Sequence, residues 1–574
     1  MLALICATTA VWAVVLAIPV QGQSAVPEPA DLVILNATIY TMTDAAPEAE
    51  ALAVKGGRIV AVGTTAEMRR WTGPTSRIID GTGLTVTPGF IESHGHLMGI
   101  GFSKKYVSLS EAKNYEEAVH LVAEAVARAR PGEWIVGGGW HQSKWNPPPA
   151  DPVRGFPRHG ALSAVSPDNP VFLTHASGHA ALVNALALEK AGIGASTAEV
   201  PGGEIIRDQD GEPTGVLIET AQGLVASLVP QPGPETAKLM FDAAVSECLS
   251  HGITTFVDAA VDRQTLGLYQ NLAESGGLPI RIYAMLVPGR DGSDIAFINQ
   301  WLERGPAVGI GNNFLTVRTL KLFVDGALGS RGAWLLKPYS DDPGNVGEPL
   351  LSADLMYQTS TRALHSGFQI AAHAIGDRAN REVLDAYERA FTENPIAARD
   401  ARFRVEHAQH ISAMDIPRFG RLGVVASMQG IHMSSDISWA IDRLGPERIA
   451  EGAYVWQKLL KSNAMVLNGT DAPVEPEDPI ANFYASVTRK TLEGTLYPWS
   501  HAEQAVSRYE ALRSYTSDAA YATFEEKLKG TIEPGKLADL SVFTQDLMTV
   551  PEEQILRTKV AYTIIGGEVR YRRE

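Results

Sequence analysis

Cysteine is scarce. Only Cys6 and Cys248 occur in 574 residues, and Cys6 lies in a segment expected to be removed, so a disulfide framework is excluded. A basic stripe is missing as well. Lys and Arg number 49 against 65 Asp and Glu, a formal net charge of −16. Nothing in the chain is arranged to neutralise phosphates, which excludes nucleic acid as a partner, and the acidity reads as a well-solvated surface. Long apolar runs are confined to residues 1–20, followed by Gln21-Gly22-Gln23-Ser24 and a polar, Pro-containing stretch. That run is barely long enough to span a bilayer, and the small residues at its end suit signal-peptidase cleavage around Gly22 or Ser24. The expectation is a signal peptide over residues 1–23 and an exported protein, periplasmic or secreted. The alternative is an uncleaved membrane anchor. The segment departs from the usual pattern in having no Lys or Arg ahead of its apolar stretch, and Ala3-Leu4-Ile5-Cys6 is a poor lipidation site.

What is present is a globular composition, 45% hydrophobic and 20% charged, with 53 Gly and 34 Pro that imply many turns around at least one large core. Leu32-Val33-Ile34-Leu35 and Ala51-Leu52-Ala53-Val54 are short strand-like runs with turn signals such as Lys55-Gly56-Gly57-Arg58. The C-terminus has the same texture in residues 538–543 and 562–569. Two strand-rich ends predict one small β-sandwich assembled from residues 24–87 and 516–574. The middle, residues 88–515, alternates apolar runs with helical stretches, and its candidate strands lie near 86–93, 252–258, 280–287, 317–324, 369–374, 403–407, 424–428 and 464–470. Eight such units predict an α/β fold, a closed (β/α)8 TIM barrel. Roughly 150 residues separate the first two strands, far beyond an ordinary connection. Residues 101–235 are therefore read as a subdomain inserted over the barrel mouth.

Polar residues recur at the C-terminal ends of these strands, where barrel enzymes place their chemistry. His94 and His96 end the first, in Pro88-Gly89-Phe90-Ile91-Glu92-Ser93-His94-Gly95-His96. Residues two apart on a strand share a face, so both imidazoles can converge on one ion, and neutral imidazole is a favoured ligand for zinc and related metals. Lys321 lies on the fourth strand, His373 closes the fifth, His407 the sixth, and Asp471 the eighth. One buried histidine alone is more often a core side chain hydrogen-bonded to backbone. Several polar residues repeating one location are not explained that way.

The order His-x-His, Lys, His, His, Asp on strands one, four, five, six and eight resembles the amidohydrolase superfamily. More narrowly it resembles the amidohydrolase-3 or YtcJ-like branch, which includes N-substituted formamide deformylases. The matching pieces include Gly178-His179-Ala180, Asp210-Gly211-Glu212-Pro213-Thr214-Gly215, Asp325-Gly326, His373-Ala374-Ile375-Gly376-Asp377, Glu406-His407-Ala408, Gly469-Thr470-Asp471-Ala472-Pro473 and residues 530–540. They span nearly the whole chain after residue 23. The resemblance implies one or two divalent ions, zinc by preference. His94 and His96 would bind the first and His373 and His407 the second, with Lys321, carbamylated by CO2, bridging them. The alternative for Lys321 is a salt-bridged lysine. Asp471 would contact the first metal and the attacking water, whose pKa zinc lowers toward ~7, and would act as general base and then acid. The implied reaction is hydrolysis of a non-peptide C–N bond in a small molecule, such as an N-substituted formamide or other amide. No Ser or Cys nucleophile is needed, and Cys248 reads as packing.

Three residues are candidates for contacting substrate. Trp140, with Trp145 beyond His141, follows a glycine run and forms either an apolar wall above the metals or a packing element between insertion and barrel. His179 matches a family position thought to face the substrate, whereas His175 reads as incidental. His432, with Asp436 after it, follows the seventh strand and is placed to bind a polar substrate group. Asp377 and Arg378 read as a helix-start ion pair or as supports of the site. Two other readings remain at this stage: an esterase, lactonase or cyclic amidase using the same site, and an exported binding or regulatory protein without turnover. A homo-oligomer is compatible with each, and a membrane enters only through an uncleaved N-terminus.

Overall fold

The computed structural model describes residues 28–198, 200–289 and 292–574. The expected signal peptide lies outside the described residues. Eight strands form one parallel ladder, here β1 (Phe90–Gly95), β2 (Ile253–Val261), β3 (Arg281–Leu286), β4 (Leu315–Phe323), β5 (Gln369–Ala374), β6 (Arg404–His407), β7 (Val425–Met428) and β8 (Val466–Asn468). Each pairs with the next, from β1 through to β8. No ladder joins β8 back to β1 among the described residues, but the seam is closed at the C-terminal rim. There Asp471 N–H donates to the His94 carbonyl at 2.7 Å and His96 N–H to that of Ala472 at 2.8 Å, while Thr470 N–H donates to Glu92 Oε1 at 2.7 Å. The result is a nearly closed eight-stranded parallel barrel of the TIM type.

The strands are buried on both faces, as a parallel sheet under helices requires, so they read as continuous apolar runs. β3, Arg-Ile-Tyr-Ala-Met-Leu, is buried along its whole length. Inside the barrel Ile91, Val257, Ala259, Tyr283, Met285 and Ala371 pack together with Ala519 and Ala520, which come from the helix Ser517–Ala522. That helix therefore packs on the barrel side of the chain's last segment.

The apolar run expected as one strand over 86–93 is divided. Thr85–Pro88 pairs antiparallel with Leu540–Phe543 in the terminal sheet, and β1 begins only at Phe90. Gly89 makes the division: a Cβ there would stand 2.2 Å from Thr254 Oγ1. Residues of both termini meet in one six-stranded sheet, in the order Glu568–Arg572, Val560–Ile565, Leu540–Phe543, Thr85–Pro88, Thr38–Tyr40, Glu48–Ala49. A four-stranded sheet built from residues 32–80 shares an apolar cluster with it, including Leu32, Ile34, Val54, Val86, Leu540 and Ile564.

Between β1 and β2 the chain forms a separate mixed sheet. Its strands are Val107–Ser108, Ile135–Trp140, Val171–His175, Ala180–Val183, Gly203–Arg207 and Pro213–Glu219. Two apolar clusters form around its strands, one holding Trp140, Leu173 and Val216, the other Phe172, Val183 and Leu217. Among the described residues no helix is long and apolar enough to cross a membrane.

Candidate metal centre

His94 and His407 end buried strands, and Asp471 follows β8 across the seam from His94. This convergence places the Asp471 carboxylate among four imidazoles. Oδ1 lies 3.1 Å from His96 Nε2 and 3.5 Å from His94 Nε2, and Oδ2 lies 3.7 Å from His432 Nε2 and 4.0 Å from His407 Nδ1. Two ligand-like trios share the aspartate: His94, His96 and Asp471, and His407, His432 and Asp471, with ligand atoms within 4.8 Å of one another. His373 is one ring further round, 4.6 Å from His407 between centroids. Its Nε2, like those of His94 and His432, is buried without a hydrogen-bond partner. Buried polar atoms are normally satisfied, so the unpaired nitrogens of His94 and His432 facing Asp471, with that of His373 beside Asp325 at 3.7 Å, are what a divalent ion would fill.

The opposite ring edges are held. His94 Nδ1 is 2.5 Å from Glu406 Oε2, and Glu406 is gripped by Arg404 through Nε–Oε1 at 2.6 Å and Nη2–Oε2 at 2.9 Å. His407 differs in that its Nδ1, the nitrogen nearest Asp471, is itself 2.8 Å from Gln429 Oε1, so Nε2 is the nitrogen it has left for a metal. Metal-binding imidazoles commonly use the second nitrogen in this way, which fixes tautomer and orientation. Burial, together with neighbouring cationic groups, holds the pKa values of His94, His373 and His407 well below the usual histidine value. The rings therefore stay neutral and keep a lone pair for a metal. Burial would raise the pKa of Asp471, but the hydrogen bond with His96 and the electrostatic pull of the surrounding imidazoles outweigh it, and the carboxyl ionises more readily than usual. Lys321 is buried, and burial pushes its pKa down to about 8 against the pull of Glu406 and Asp471. The backbone is strained at the same place: His407 has φ 72° and Asp471 φ 58°. Such non-glycine conformations persist only where surrounding structure enforces them, and they gather at functional sites.

The pattern that defines the Amidohydrolase family matches residues 77–571. The chain belongs to this family. A short match to the imidazolonepropionase-like composite domain of bacteria covers residues 51–70. Among relatives, protein LONG AFTER FAR-RED 3 of Arabidopsis thaliana is 33% identical over 94% of this chain and 92% of its own. YtcJ of Bacillus subtilis (strain 168), which carries the name of an amidohydrolase, is 30% identical over 93% and 98%. N-substituted formamide deformylase of Arthrobacter pascens is 30% identical over 95% and 98%. These place the amidohydrolase in the YtcJ-like branch. A solved structure of an uncharacterized metal-dependent hydrolase from Pyrococcus horikoshii OT3 superposes with a TM-score of 0.72 at 27% identity, over 91% of this chain and 99% of that one.

Not every candidate of this amidohydrolase falls at the mouth. His94, His96, His373, His407, His432 and Asp471 are brought together, and Lys321 sits on β4, in register with Ala371 of β5. His432, expected to contact substrate, stands beside Asp471, where its Nε2 is also a candidate metal donor. His179 is at the mouth, its ring 5.0 Å from that of His373. Trp140 is not. It is fully buried in the insertion, with Nε1 donating to the Leu173 carbonyl at 2.8 Å and the ring stacked on Trp145 at 5.9 Å. Trp140 is thus a packing residue, but within the insertion's own core rather than between insertion and barrel, and the glycines before it let the neighbouring strands approach closely.

Four supports were not singled out from sequence. Arg404 and Gln429 hold Glu406 and His407. Asp325 accepts backbone N–H groups of Ile375, Gly376 and Trp334 at 3.0, 2.8 and 2.8 Å, with burial pushing its pKa up to about 7 against those bonds. Glu219 accepts from His179 Nδ1 at 2.8 Å. Asp325 carried a signal in the Asp325-Gly326 pair, and Glu219 carried none.

Proposed function

We propose that this chain is a metal-dependent hydrolase of a non-peptide C–N bond, with N-substituted formamides or other small amides as its substrate class. The observation that carries the reading is the Asp471 carboxylate, kept ionised among imidazoles, two of which, His94 and His432, turn unpaired nitrogens toward it. Likeness to an N-substituted formamide deformylase at 30% identity supports the choice of bond.

His94, His96 and Asp471 would hold one ion. His373 and His407 would hold a second, with His432 as an additional donor and a carbamate on Lys321 as the bridging anion. The unpaired nitrogens of His94, His373 and His432 fit that use. A bound divalent ion, zinc by preference, supplies a Lewis acid for the carbonyl and brings the acidity of a water toward neutrality. The remaining work belongs to side chains. Asp471 accepts the proton of the attacking water as the new C–O bond forms, then returns it to the nitrogen as the C–N bond breaks and the amine departs. For Lys321, a pKa near 8 leaves more neutral amine than an ordinary lysine, and the neutral amine is the form that adds to CO2, losing a proton as the carbamate forms. The apolar run of residues 1–20 adds export to the proposal, which N-terminal sequencing of the mature protein tests.

The decisive experiment is metal analysis of the purified protein combined with a hydrolysis screen of N-formyl and N-acyl amines. Bound divalent metal, turnover of at least one amide, and its loss in Asp471→Asn are expected. A protein holding less than one ion per chain, with rates unaffected by Asp471→Asn, would overturn the reading and favour a binding or regulatory role.

A further inference from the structure

A pair of insertion residues, His179 and Glu219, reaches the candidate metal centre. Glu219 ends the strand Pro213–Glu219 and there turns to φ 48°, ψ −125°. A residue carrying a Cβ holds such a conformation only where its surroundings offset the strain, and glycine would hold it freely. The Glu219 backbone N–H donates to the His179 carbonyl at 2.9 Å, and Oε2 accepts from His179 Nδ1 at 2.8 Å. Oε1 is buried without a hydrogen-bond partner. The loop after β4 is shaped around this carboxylate: a Cβ on Gly326 would come to 2.0 Å from Oε1, and one on Gly332 to 2.6 Å. Backbone stability at position 219 would be served by glycine, whereas what the glutamate adds is a fixed acceptor for one nitrogen of His179. With Nδ1 committed, Nε2 is the ring nitrogen left for a bound molecule, and the ring already lies against His373.

We propose that Glu219 is a positioning residue of the hydrolytic site, fixing His179 in its Nδ1–H tautomer so that Nε2 meets the polar group of the bound amide. The insertion thereby completes a site whose other residues belong to the barrel. This rests on the amide-hydrolase reading above.

The test uses the full-length, metal-loaded protein and the variants Glu219→Gly, which removes the carboxylate and relieves the backbone, and Glu219→Gln, which keeps an acceptor oxygen. For Glu219→Gly, kcat on an N-formyl amine is expected to fall about 10- to 100-fold, the range for losing a partner that orients a site histidine. KM, metal content and unfolding midpoint should stay at wild-type values. Glu219→Gln should recover most of the lost kcat. In the second arm, histidine labelled with 15N in the ring is followed by NMR, the His179 signals being assigned by their loss in His179→Asn. Wild type should show the Nδ1–H form, and Glu219→Gly should shift it toward Nε2–H. Unchanged turnover in Glu219→Gly, or an unchanged His179 tautomer, overturns the proposal. If wild type hydrolyses none of the amides, the functional reading fails while the tautomer still decides the role of Glu219.

Discussion

Arg404, Glu406 and His94 form a buried relay in which charge sets chemistry. The guanidinium grips both Glu406 oxygens, Glu406 takes the hydrogen bond of His94 Nδ1, and Nε2 is left with its lone pair facing Asp471. Glu406→Gln retains the shape but weakens the hold on the Nδ1 proton. Metal affinity, measured by competition with a chelator, is expected to fall by about 10- to 100-fold; unaltered affinity would show that Glu406 merely neutralises Arg404. Lys321 offers a pH test. Its pKa in the fold, about 8, lies below the ordinary lysine value of about 10.4, so the neutral amine grows as pH rises through 8. Carbamylation of the metal-free protein, followed by carbon NMR with labelled bicarbonate, should rise over that interval, and a flat response would leave Lys321 without the carbamate. At this scale the convergence of the candidate ligands was legible because histidine, lysine and aspartate stand at strand ends in a fixed order. Glu219 was not legible: its role depends on a left-handed backbone and on two glycines more than a hundred positions away, neither of which leaves a local pattern.

The secondary-structure elements make those positions effective. Each parallel strand delivers its last residues to one rim, so a ligand set scattered over residues 94–471 needs no special loop to gather it. Continuous apolar runs revealed the strands, but periodicity could not show where a run changes sheet, as 85–95 does at Gly89. Nor could it show which way an aromatic faces. Trp140 follows glycines much as a pocket residue would, yet it lies in the insertion core with its indole N–H satisfied by Leu173. Trp140→Phe should therefore act on stability alone, costing about 1–3 kcal/mol through the lost hydrogen bond and the smaller ring. Chemical denaturation measures the loss. A raised KM for an amide substrate, with stability intact, would return Trp140 to the site.

In the whole molecule the barrel and the terminal sheet are joined by a buried ion pair. Arg281 of β3 meets Asp539 through Nε–Oδ2 at 2.6 Å and Nη2–Oδ1 at 2.9 Å. Gly566 N–H adds a third bond to Asp539 at 2.8 Å. The run of residues 530–540 was recognisable as a motif, but its physical purpose was not, because Arg281 and Asp539 are far apart in sequence and share no periodic pattern. Removing one charge from a buried pair leaves the other uncompensated, a loss of about 3–5 kcal/mol, and Asp539→Asn should destabilise the fold by that order. The pH dependence follows from the direction of the shift. Burial would raise the Asp539 pKa, but Arg281 outweighs it and holds the carboxyl below its ordinary value. A carboxyl depressed in the folded state contributes stability above its unfolded pKa of about 3.9 and loses it as pH falls further. Wild type should therefore lose stability over that acid range more steeply than Asp539→Asn, with the two curves separated by a constant amount near neutrality. Urea midpoints measured across the acid range would read the difference, and parallel curves all the way down would mean that Asp539 is not what ties the terminal sheet to the barrel.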